Sequence, residues 1–139
     1  MSIAAELTKK LYTALGHDLS NQIMALSENL RLLHRYQTNS IEQVRAQYNP
    51  EQDLIRDEIS ALGDDANDEY TDLMAELKAS QDKEDQMIEQ IETETQEKED
   101  AINLEKEKLE SRLEAMRADE EALGEAIKAD NEDFYGYFQ

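Results

Sequence analysis

From Ala66 to Asp130 the chain contains no proline and a single glycine, Gly124. Proline removes a backbone donor, and glycine costs roughly 1 kcal/mol against alanine inside a helix. Strand-rich folds need both residues at their turns. A stretch of this length with almost neither reads as one long helix, roughly 100 Å at 1.5 Å per residue. Whatever precedes it must supply the other side of any core.

The preceding segment has the matching pattern. Ile3, Leu7, Leu11 and Leu15 recur at four-residue steps, one face of a helix. Gly16 follows and reads as a left-handed residue closing a short helix. The stripe then runs through Leu19, Ile23, Leu26, Leu30 and Leu33 in alternating steps of four and three, a heptad seam. It resumes at Ile41, Val44 and Tyr48 and meets Asn49-Pro50. Pro50 suits the first position of a new helix, with Asn49 as its cap. That helix carries Leu54/Ile55, Ile59 and Leu62, and Gly63-Asp64-Asp65 is the strongest reversal signal in the chain.

The expected fold is therefore all-α: an elongated antiparallel helical hairpin, or coiled coil, with a Pro-bent first arm. Residues 1–62 form a near-neutral arm of helices at about 2–15, 18–48 and 51–62. Residues 66–132 form a long acidic coiled-coil helix, and residues 133–139 an aromatic tail. The second arm's seam passes through Ala66, Tyr70, Leu73, Leu77, Met87 and Ile91. It reappears one residue later through Ile102, Leu109, Leu113, Met116, Leu123 and Ile127. Polar residues occupy it between, at Ser80, Glu84, Glu94 and Lys98, and the one-residue shift is the drift of a straight helix against a seven-residue repeat. Reflection about residue 64 places position i opposite roughly 128 − i. Leu7 and Leu11 then pack near Leu123 and the Leu113–Met116 turn, while Leu26, Leu30 and Leu33 face polar residues 95–102. That mismatch marks Leu19, Ile23, Leu26, Leu30 and Leu33 as an interface with a second copy or another protein. Phe134, Tyr135, Tyr137 and Phe138, half of all the aromatics, are the second candidate, because aromatics anchor interfaces.

Charge sharpens the division. The net charge is −20, but residues 1–50 sum to +1 and residues 51–139 to −21. Such a chain is repelled by nucleic acid and by anionic membranes. The longest apolar run, Ile23-Met24-Ala25-Leu26, is far below the ~20 residues of a membrane span. The N-terminal residues lack a basic and then apolar signal pattern, so the expected location is cytoplasmic, or outside the cell by a Sec-independent route.

Catalytic chemistry finds few reagents here. No cysteine is present, and His17 and His34 do not share a helix face. Asp65, Asn67, Glu69 and Glu76 have loose calcium-loop spacing, but Tyr70 stands where that loop needs glycine, and helix capping explains the same residues. Acidic pairs on a solvated helix lack the dry pocket that separates two carboxyl pKa values. No cofactor and no enzymatic activity are expected.

The reading that remains is a non-enzymatic, self-assembling helical structural protein, a homo-oligomer of the filament or secretion-assembly kind. The two-arm pattern around Gly63-Asp64-Asp65, with its helical end running nearly to Gln139, is similar in architecture to the helical filament and needle subunits of type III-like secretion systems. That similarity carries no diagnostic motif and implies self-association. The alternative is an acidic coiled-coil chaperone or adaptor that receives a basic or amphipathic helical client.

Overall fold

The computed structural model describes the backbone of residues 2–137 and the side chains of residues 3–132. Two helices, α1 (Ser2–Ser60) and α2 (Asn67–Tyr137), pack against each other as an all-α hairpin, with no strand among the described residues. Residues 61–66 connect them. The end of α1 tightens, Leu62 N–H donating to the Ile59 carbonyl at 3.2 Å, and a turn closes where Ala66 N–H donates to the Gly63 carbonyl at 3.2 Å. Ala66 O then receives the first bond of α2, from Tyr70 N–H at 2.9 Å. Asp68 and Glu69 follow in the first turn, where carboxylates meet the positive end of the helix dipole.

Three expectations need correction. The first arm is one helix of 59 residues, not three, and it runs through both Gly16 and Pro50. No described glycine has a positive φ, so neither Gly16 nor Gly63 is a left-handed cap. Gly16 instead faces α2: a Cβ built on it lies 3.6 Å from a methyl of Leu113, ordinary van der Waals contact. Packing along both sides of Gly16 and Pro50 outweighs their local preference, about 1 kcal/mol against the helix for glycine and about 3 kcal/mol for proline. Gly16→Ala is expected to raise stability by about 1 kcal/mol, since the added methyl finds both helix propensity and a partner. A thermal melt that falls on this substitution contradicts the packing described.

The third correction concerns register. Thr13 Oγ1 donates to Glu120 Oε1 at 2.7 Å, and His34 Nε2 lies 3.3 Å from Glu99 Oε2. Partner numbers total 133 in both pairs, against the 128 expected from reflection about residue 64. The shift arises because Ala61 N–H still bonds back to the Asp57 carbonyl, at 3.1 Å, and α2 begins only at Asn67. The centre of the reversal therefore sits two to three residues later than the glycine that signals it.

The contacts divide the chain into two compact units, residues 1–30 with 100–139 and residues 31–99. In the first, Leu19 and Leu109 are buried, and Ile23, Leu26, Leu30, Leu113 and Leu123 are half-buried along one line of each helix. In the second, Val44, Ile55 and Leu77 are buried, together with three polar residues, Gln52, Ser80 and Thr95.

The spacing within that second unit differs from a heptad. On α1 the inward positions are Ile41, Val44, Tyr48, Gln52 and Ile55; on α2 they are Glu84, Ile88, Ile91, Thr95 and Glu99. Each set contains two successive steps of four, where a heptad alternates four with three, and Ile41 to Gln52 and Glu84 to Thr95 each span eleven residues. An eleven-residue period matches a straight helix more closely than seven does. Ile88, Thr95 and Glu99 thus take the inward positions expected of Met87, Glu94 and Lys98. Met87 stands at the edge of this line at 38% exposure, its Sδ accepting from the Tyr48 hydroxyl at 3.2 Å, and Tyr70, also expected inward, is 50% exposed.

A polar layer sits where the two eleven-residue spacings meet. The Gln52 amide donates to Glu84 Oε2 at 2.7 Å and approaches Ser80 Oγ at 3.4 Å. Eleven residues further along α2, outside that layer, Thr95 turns its hydroxyl back to the Ile91 carbonyl at 2.7 Å. No buried side-chain nitrogen or oxygen among the described residues lacks a partner. A satisfied polar layer within an apolar seam disfavours any slip that would pair it with leucine. Gln52→Leu leaves Glu84 without its donor and is expected to cost about 1 kcal/mol. It should also broaden a spin-label distance distribution measured between residues 45 and 86. An unchanged distribution removes the register role.

Candidate functional site

The residues picked from sequence as an interface are placed on the hairpin's own seam. Leu19 is buried at 8% exposure, and Ile23, Leu26, Leu30 and Leu33 are half-buried on the face turned to α2. Phe134, Tyr135 and Tyr137 belong to the last turns of α2, and with Phe138 their side chains lie outside the described residues.

The apolar surface that stays open is elsewhere. Ile3, Leu7, Leu11 and Leu15 are exposed, although Leu7 and Leu11 were expected to pack near Leu123. Their spacing explains this. The inward line runs back from Leu19 through Gly16, Tyr12 and Lys9 to Ala5, in steps of three and four. A row stepped strictly by four instead winds about 40° further around the helix at each step. Exposure rises in the same order: Leu19 8%, Leu15 37%, Leu11 56%, Leu7 62% and Ile3 72%. The row leaves the seam at Leu19 and ends on the opposite side at Ile3. The signal was present in the sequence as the change from alternating steps to uniform steps of four.

Around this row the first unit is ordinary. Ala4 and Ala14 are exposed beside it, and Thr8 returns its hydroxyl to the Ala4 carbonyl at 2.8 Å. Glu6 and Lys10, both exposed, carry its nearest charges and cancel. A groove beside Gly124 is lined by Lys9, Arg117 and Lys128 together with three glutamates, a mixed-sign lining that selects for neither anion nor cation. Other exposed apolar side chains lie singly, as Met24, Leu54 and Leu104 do, or in pairs four residues apart, Leu32 with Tyr36 and Tyr70 with Met74.

Chemistry-bearing groups do not converge. Among the described residues no three His, Asp or Glu side chains are arranged to hold a metal ion. Asn67, Glu69 and Glu76, members of the loose calcium spacing, stand on the continuous helix α2 rather than on a loop. No described helix is long and apolar enough to cross a membrane.

Comparison with known proteins gives one positive result. No curated protein and no solved structure matches the chain. The family model described as extracellular mutant protein 11 matches residues 5–123, which takes in the exposed row from Leu7 onward, the reversal and most of α2. With the greater part of both helices covered, the chain belongs to the extracellular mutant protein 11 family.

Proposed function

We propose that this protein is a non-enzymatic structural subunit, a coiled-coil hairpin that associates with copies of itself. The observation carrying this reading is how little the hairpin buries alone. Among the described residues five apolar side chains are buried, Leu19, Val44, Ile55, Leu77 and Leu109, and none is completely enclosed. Two helices can cover only one stripe of each other. Apolar surface beyond that stripe gains stability by meeting another molecule, at roughly 25 cal/mol per Å² removed from water. The family is different from the secretion-assembly subunits that the two-arm pattern is similar to, so the reading rests on the physics of the hairpin.

Salt separates this function from that of an acidic adaptor. Copies that each carry −20 repel one another, and screening at a Debye length of about 10 Å in 0.1 M salt relieves the repulsion. Self-association measured by sedimentation is therefore expected to strengthen between about 0.05 and 0.5 M sodium chloride, where the Debye length shrinks severalfold. Binding of a basic client would weaken over the same range. A chain that sediments as a monomer at every salt concentration overturns the proposal.

A further inference from the structure

The row Ile3, Leu7, Leu11 and Leu15 has a property beyond exposure: it is self-complementary. Counted about residue 9, Leu7 maps onto Leu11, Ile3 onto Leu15 and Ala4 onto Ala14. A two-fold contact needs such a surface, because each position must suit the position that its own symmetry mate presents. We propose that this band docks on the same band of a second copy, in an antiparallel two-fold contact centred at residue 9. The proposal rests on the self-assembly reading and names the surface and the partner.

Spacing, charge and area each support that occupant. A row of large side chains at i, i+4, i+8 is a ridge inclined to the helix axis, and two such ridges interlock at a crossing angle of about −50°. A heptad partner lying along α1 would need alternating steps, which the row lacks. The antiparallel sense follows from the flanking charges. A parallel contact sets Lys10 against Lys10 and Glu6 against Glu6 across the axis. The antiparallel one brings Lys10 to the level of Thr8 and Glu6 to that of Tyr12. The location also matters, since residues 1–30 carry a net charge of only −1, whereas the chain carries −20. The four side chains leave on the order of 400 Å² of apolar surface in one band, a size at which patches mark contact sites. Doubled and widened by the alanines, this lies near the small end of specific interfaces, so the dimer is expected in the micromolar range.

The chain has no cysteine, which makes directed crosslinking clean. Full-length Ile3→Cys and Leu15→Cys proteins are prepared separately and oxidised alone and as a mixture. The antiparallel contact predicts an efficient disulfide dimer in the mixture. Little is expected from either protein alone, whose identical positions stand about 18 Å apart at 1.5 Å rise per residue. In parallel, Leu7→Glu with Leu11→Glu is expected to weaken dimerisation by well over a hundredfold in sedimentation, two buried leucines being lost from each copy. Far-UV helicity should stay unchanged, because both side chains are exposed in the single hairpin. Efficient crosslinking of Ile3→Cys alone overturns the antiparallel sense. A wild-type oligomer that survives the double glutamate substitution overturns this surface and leaves self-assembly standing. A wild-type monomer up to roughly 200 μM, well above a micromolar Kd, overturns both.

Discussion

Ile55→Asp is expected to destabilise the protein by about 4 kcal/mol, and Leu54→Asp, one residue away, by no more than about 0.5 kcal/mol. The two side chains are chemically alike and adjacent, yet Ile55 is 4% exposed and Leu54 is 64% exposed. Aspartate at 55 forfeits the burial of a large aliphatic group, about 1.5–3 kcal/mol, and puts a carboxylate into the unit formed by residues 31–99 without a counter-charge. Aspartate at 54 stays in water and adds one more charge to a surface already rich in them. Domains of ordinary stability hold only about 5–15 kcal/mol in total. The melting temperature of the Ile55 variant should therefore fall by about 8 °C or more, while that of the Leu54 variant moves by a degree or two. Coincident melts for the two variants would mean that Ile55 does not face the seam.

That pair also shows how far the sequence could be read. Its pattern offered Leu54 and Ile55 together, since a heptad stripe accepts either neighbour. Choosing between them needs the local period, and the period is eleven, not seven, from Ile41 to Gln52 and from Glu84 to Thr95. The same ambiguity put Met87 on the seam in place of Ile88. Long-range alternation and the scarcity of breakers were enough to identify two helices and one reversal. They were not enough to give the register, because Gly63 signals the end of α1 while the connection extends to Ala66.

The interface expected at Leu19 to Leu33 depended on the register as well. Leu26 to Leu33 seemed unmatched against residues 95–102, the segment that reflection about residue 64 sets opposite them. With partner numbers near 133, Ile23 comes level with Leu109, while Leu26 and Leu30 come level with Glu107 and Asn103. The side chains released from the seam are Ile3, Leu7 and Leu11, which had been assigned to it. Winding takes them off the seam, since a row stepped by four turns about 40° around the helix at each step. Residues 16–33 hold the hairpin together, and residues 3–15 carry its free apolar surface.

Pro50→Ala is expected to stabilise the protein by about 2 kcal/mol. Pro50 lies within α1, ten residues before its end at Ser60. In that setting it withholds a donor from the Ala46 carbonyl, and its ring crowds the same group, a combined cost of about 3 kcal/mol relative to alanine. Replacement gives back part of this gain, because a proline-free unfolded chain has more freedom to lose, about 0.4–1 kcal/mol. The balance favours alanine and should raise the melting temperature by about 5 °C. The helix tolerates the proline because Val44, Gln52 and Ile55 are all buried on the same face, anchoring α1 on both sides of position 50. Local preference alone placed a helix boundary there. Contact with α2 makes interruption more costly than one missing hydrogen bond. A variant that melts at or below the wild-type temperature would show that Pro50 sits at a break in the helix, with the chain on its two sides folding as separate helices.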